Sequence, residues 1–196
     1  MFKRLFILLI ACLSLSPAIA ADRASQDNLW SSLKSGKYIV LIRHAQTEAG
    51  TGDPSGFTVD DCSTQRNLSA KGRADAKRIG DAFRSRQIPI ADVLSSRWCR
   101  CLDTAQLAFG RVTPAPMLDS MFNDPNQNSD EKKVREVFVA AARHMGSGSG
   151  NLIFVTHAWN IQALAGVSPS SGEMVVVTLD GPDKFKVIGR LDVSGG

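Results

Sequence analysis

Two uninterrupted apolar runs constrain this chain more than any other feature. Tyr38-Ile39-Val40-Leu41-Ile42 follows Gly36, and Leu152-Ile153-Phe154-Val155 follows the flexible stretch Gly146-Ser147-Gly148-Ser149-Gly150. Neither run alternates polar with apolar residues, so both read as strands buried on two faces. A shorter strand is expected over Ala91-Asp92-Val93-Leu94-Ser95, and two more over Met174–Leu179 and Phe185–Leu191, joined by the turn Asp180-Gly181-Pro182-Asp183. Helical spacing follows Ser69, a natural cap, and recurs over Trp98–Phe109, Asp130–Met145 and Ile161–Leu164. A short amphipathic helix is expected around Leu29-Trp30-Leu33. Strands alternating with helices predict an α/β three-layer sandwich with a mainly parallel central sheet. Such sheets place their sites at the carboxyl ends of the strands.

The first twenty residues read differently. Lys3 and Arg4 precede an apolar run from Leu5 to Leu15, Pro17 breaks it, and Ala18-Ile19-Ala20 places small residues at −3 and −1. This is the layout of a secretory signal peptide over residues 1–20, leaving a single domain over 21–196. A membrane anchor would need about 18 unbroken apolar residues, and Ser14, Ser16 and Pro17 interrupt this run. Leu9-Ile10-Ala11-Cys12 is a minor alternative, a lipoprotein box. The expectation is a periplasmic or secreted protein with no stable membrane span. The formal charge of +4 falls to +2 without Lys3 and Arg4. With no nucleic-acid-binding pattern beside it, that charge gives no reason to expect a nucleic-acid partner.

Four cysteines are too few for a disulfide scaffold and lack metal-site spacing. In an oxidising compartment, Cys62, Cys99 and Cys101 predict one bridge and one free thiol. Cys99 and Cys101 are too close to bond easily within a regular element. The bridge is therefore expected from Cys62 to Cys99 or Cys101, with Cys62–Cys101 the candidate pair. Three buried thiols are the competing reading.

The residues just beyond the strands carry the chemistry. Arg43-His44 follows the first run, Ser95-Ser96-Arg97 the short middle strand, and Thr156-His157 the second run. If the strands lie parallel and adjacent, two arginines and two histidines meet at one sheet edge. Burying them without a partner is unfavourable, and an anion is the natural guest. Guanidinium forks bind phosphoryl oxygens, and a neutral imidazole can attack phosphorus to form a covalent intermediate. No metal and no cofactor is needed, because the arginines supply the positive charge.

These residues resemble the histidine phosphatase (phosphoglycerate mutase-like) superfamily. Leu41-Ile42-Arg43-His44-Ala45-Gln46-Thr47 is similar to its Arg-His-Gly signature, and Leu68-Ser69 with Gly72-Arg73 and Ala76 to its first helix. Leu94-Ser95-Ser96-Arg97 with Asp103-Thr104-Ala105 resembles its second arginine segment, and Phe154-Val155-Thr156-His157 its second histidine segment. The resemblance spans about Tyr38 to Leu164. It implies a phosphoglycerate mutase-like fold and a metal-independent phosphomonoesterase, with His44 phosphorylated and Arg43, Arg97 and His157 completing the phosphate pocket. Its partner would be a small phosphorylated substrate, such as an envelope sugar phosphate.

Two departures bear on the proton donor. Ala158 follows His157 where one branch has Asp, and Leu118–Asp124 contains no Glu where the other branch has one. Asp119 and Asp124 are the remaining candidates, and a chain with no dedicated acid is the third reading. Thr47, Gln65 and Arg66, in the polar loop 45–67, are candidates for substrate contact. Trp98 and Trp159 are candidates for the pocket mouth, with core packing as the other reading. A non-catalytic phospho-ligand binding protein and, less well supported, a phosphotransfer mutase are the alternative functions.

Overall fold

The computed structural model describes residues 17–122, 127–147 and 149–193. All but the last four residues of the expected leader lie outside it, as does Asp124. The two apolar runs form β1 (Ile39–Arg43) and β4 (Asn151–Thr156), side by side and parallel. Ile39 pairs with Leu152 and Arg43 with Thr156, so the two strands end level. On the far side of β4 lies β2 (Ile90–Ser95), also parallel, with Ser95 opposite Val155. The expected hairpin forms β5 (Met174–Leu179) and β6 (Phe185–Leu191), with β5 antiparallel to β1. A two-residue strand, β3 (Thr113–Pro114), closes the other edge where the sequence suggests only loop. Proline lacks an N–H to donate, which restricts it to such an edge. The order is β3-β2-β4-β1-β5-β6.

Alternate residues of each strand enter opposite layers, as the pleat requires. Val40, Ile42, Ile153 and Val155 pack with α1 (Pro17–Leu33), α2 (Ala70–Ser85) and α3 (Cys99–Phe109). Ile39, Leu41, Leu152 and Phe154 pack with α4 (Gln127–Ser147) and α5 (Ala158–Ala165). The result is the expected three-layer sandwich. α1 is longer than expected and runs through Ala20, the anticipated cleavage point. Among the described residues no helix is long and apolar enough to cross a membrane.

Two local features bring α2 against the site. The Ser69 hydroxyl accepts from the Gly72 N–H at 3.1 Å and caps the helix. Gly72 then lies so close to the loop after β1 that a Cβ there would stand 1.9 Å from the Gln46 carbonyl oxygen.

The disulfide joins Cys62 to Cys99, which corrects the candidate pair Cys62–Cys101. Cys99 opens α3, and Cys101 lies two residues further round the helix, turned by about 200°. Its thiol therefore points inward, 3.6 Å from Nε2 of His157, and stays free.

Candidate active site

The level strand ends gather the predicted residues. The His44 N–H donates to the Thr156 carbonyl at 2.9 Å, and the Ser96 N–H to the Val155 carbonyl at 2.9 Å. These bonds extend the ladder just beyond β1 and β2 and bring His44, Ser96 and His157 together. The two imidazole centroids are 5.5 Å apart, and both rings are buried. They sit in a cleft of about 980 Å³ that Arg43, Arg66, Arg97 and Arg100 also line.

His44 has a defined tautomer. Its Nδ1 lies 2.9 Å from the Ala45 carbonyl oxygen. That oxygen only accepts, so Nδ1 carries the proton and Nε2 keeps its lone pair. Burial first, and then the charges of Arg100, Arg43 and Arg66, push the His44 pKa down to about 3, against the Ala45 bond. His157 is also held well below its ordinary value, by burial first and then by His44, Arg100, Arg43 and Lys133. Its Nε2 shares a 2.9 Å hydrogen bond with Ser96 Oγ. The edge of Trp98 meets its ring at 5.6 Å. Both imidazoles are therefore neutral at pH 7, and one presents a free nitrogen lone pair.

The arginines divide differently from the sequence expectation. The Arg43 guanidinium donates to the Pro169 carbonyl at 2.9 Å, and its Nε is buried with no partner among the described residues. Arg97 lines the cleft, but its guanidinium is held by Asp119, through Nε at 2.8 Å and Nη2 at 2.6 Å. The second arginine whose charge bears on both imidazoles is Arg100, which the sequence reading passed over. It is buried, pairs with Asp53 through both terminal nitrogens, and its Nε also lacks a partner among the described residues. A signal for it exists in the sequence. Arg100 and Thr104 stand four apart on the inward face of α3, and the Thr104 hydroxyl accepts the Ala45 N–H at 3.0 Å.

The remaining candidates organise the walls. Arg66 donates to the Gly52 carbonyl at 2.8 Å, the Gly50 carbonyl at 2.9 Å and the Thr47 hydroxyl at 2.6 Å. Thr47 and Arg66 thus hold the loop, and the Arg66 guanidinium still lines the cleft. Gln65 is buried and accepts the Cys99 N–H at 2.9 Å, which ties the loop to α3. Asp53, from the same loop, accepts from Arg100, Trp98 Nε1 and the Arg66 N–H. Burial works the other way, yet these donors hold its carboxyl below the usual range. Asp119 uses both oxygens on Arg97, including its N–H at 2.9 Å. Both carboxylates lining the cleft are thus engaged by an arginine. Among the described residues no cluster of three or more His, Cys, Asp or Glu could hold a metal ion.

The family model of the histidine phosphatase superfamily (branch 1) matches residues 39–137. No curated protein sequence matches the chain. The solved structure of the protein histidine phosphatase SixA, complexed with tungstate, is similar at a TM-score of 0.56 and 13% identity; the match covers 79% of this chain and 96% of that one. The alpha-ribazole phosphatase from Shigella flexneri is similar at 0.54 and 17%, covering 80% and 96%. A phosphoserine phosphatase mutant from Entamoeba histolytica, in complex with phosphoserine, is similar at 0.53 and 14%, covering 81% and 98%. At these identities the solved structures establish the shared fold.

Proposed function

We propose, since this chain belongs to the histidine phosphatase superfamily (branch 1), that it is a metal-independent phosphomonoesterase working through a phosphohistidine on His44. One observation carries the reading. His44 presents a neutral Nε2, because Nδ1 is tied to Ala45, inside a cleft lined by four arginines. Nε2 attacks phosphorus, the N–P bond forms, and the bond to the leaving oxygen breaks. Water then attacks phosphorus, the N–P bond breaks, and inorganic phosphate leaves. Arg43 and Arg100 face the phosphoryl oxygens and balance the charge that builds up on them. His157 stands across from His44 and donates to the transferring group.

Neither Asp53 nor Asp119 has an oxygen free of an arginine. The reading therefore favours substrates whose leaving oxygen departs without a strong acid, such as aryl phosphates. The leader-like residues 1–20 support export to the periplasm, and the Cys62–Cys99 bridge suits an oxidising compartment. In the test, purified protein is given p-nitrophenyl phosphate with and without EDTA, beside a His44→Ala variant. Release that survives EDTA and drops by at least about a thousandfold in the variant is expected. Phosphate binding without turnover would instead establish a binding protein.

A further inference from the structure

One wall of the cleft is aromatic and exposed. Trp159, in the first turn of α5, is 59% exposed, and Phe122 is 37% exposed. Their rings stack, with centroids 6.0 Å apart and planes 28° from parallel. Large aromatics normally contribute to stability by leaving water. This pair packs on itself and still presents surface to the cleft that holds His44 and His157.

The same cleft carries fixed positive charge at its wall. Of the two cleft arginines that pair with aspartate, Arg100 on Asp53 and Arg97 on Asp119, Arg97 is the exposed one. Its side chain is 45% accessible while Asp119 beneath it is 5%. The buried carboxylate fixes the guanidinium at Nε and Nη2 and keeps it at the cleft wall.

We propose that Phe122, Trp159 and Arg97 form a leaving-group subsite that takes a flat ring carrying a second negative charge. The ring lies against the aromatic pair, and its anion meets the guanidinium that Asp119 holds in place. This rests on the phosphatase reading and names the substrate class for that same site.

The test compares 4-carboxyphenyl phosphate with 4-carbamoylphenyl phosphate at low ionic strength. The two rings match in size, and the neutral amide has the better leaving oxygen, so leaving ability works against the predicted preference. The expected kcat/KM favours the carboxylate by about tenfold, the scale of one charge-assisted contact at a half-exposed site. Arg97→Gln brings that ratio to about one, and Arg97→Lys restores part of it. Trp159→Ala raises KM for both probes by about fivefold, and Trp159→Phe recovers it, consistent with stacking. Thermal melts confirm that each variant is folded. A wild-type ratio near one, or a ratio that Arg97→Gln leaves in place, overturns the charged part. An unchanged KM in Trp159→Ala overturns the ring part. Failure to hydrolyse either probe defeats the phosphatase reading, and the subsite with it; hydrolysis without preference defeats the subsite alone.

Discussion

Arg100–Asp53 and Arg97–Asp119 are both arginine–aspartate pairs, and their arginines are three residues apart. In the first, both side chains are about 5% exposed. In the second, the aspartate is buried and the arginine is almost half in water. The difference comes from the helix start between them. Arg97 precedes α3 and still follows the line of β2, so it leaves the sheet edge at the cleft wall. Arg100 lies in the first turn of α3, and the helix turns its side chain inward beneath the loop. The inner pair places a fixed charge beside the two neutral imidazoles, and the outer pair stands half in water at the cleft wall, the position that the proposed subsite gives to the leaving group.

The largest effect should come from breaking the inner pair. Arg100→Gln removes the charge that the proposed mechanism sets on the phosphoryl oxygens and leaves Asp53 buried without its main partner. A loss of about a thousandfold in kcat/KM is expected, with about 3 kcal/mol of stability lost in urea unfolding. Adding Asp53→Asn should recover stability while activity stays low. If the double variant regains activity, Arg100 does not act on the phosphoryl group.

Next is the loop that carries Asp53. Cys62–Cys99 closes a separation of 37 residues and anchors that loop to α3 beside Arg100. Replacing both cysteines by serine should lower unfolding stability by about 2–4 kcal/mol. KM should rise for any phosphoester, because Asp53 and Arg66 lose their fixed frame. A rise confined to charged-ring substrates would place the loop's influence at the outer pair instead.

The pH dependence of stability should report on the floor of the cleft. His44 titrates near 3 in the folded protein and near its ordinary 6.5 when unfolded. Between those values the unfolded chain binds more protons, so stability is full above about pH 6.5 and falls as pH drops towards 3. The slope from one such group approaches about 1.4 kcal/mol per pH unit within that window, and His157 shifts the same way. Urea unfolding from pH 7 to 4.5 should show the slope, and His44→Asn should reduce it, leaving the part that His157 contributes. An equal slope in the variant would mean that His44 is protonated in the fold.

Much of this was legible in the sequence, for a definite reason. A strand buried on both faces writes itself as an unbroken apolar run, and the residue after it occupies the sheet edge. That rule located His44, His157 and Arg43 without any contact being known. It also found Arg97 at the cleft wall but passed over Arg100, which does not obey it. Arg100 depends on the phase of a helix, and Asp53 on a loop that closes over it from 47 residues away in the chain. The bridge failed for the same reason. Cys99 and Cys101 look equivalent until the start of α3 decides which one turns towards Cys62. Polar pairs formed across the fold leave no local periodicity, so the walls of the cleft were less legible than its floor.

The smallest effect completes the comparison. Arg97→Gln, assayed with neutral phenyl phosphate, should lower kcat/KM by less than about tenfold, since an exposed ion pair contributes about 1 kcal/mol or less. The glutamine amide can still donate to Asp119, and the residue 97 N–H also serves that carboxylate, at 2.9 Å. The floor of the cleft, with Arg100 on Asp53, does not involve this contact. A loss as large as that of Arg100→Gln would put Arg97 on the phosphoryl group and make the outer pair part of the catalytic floor.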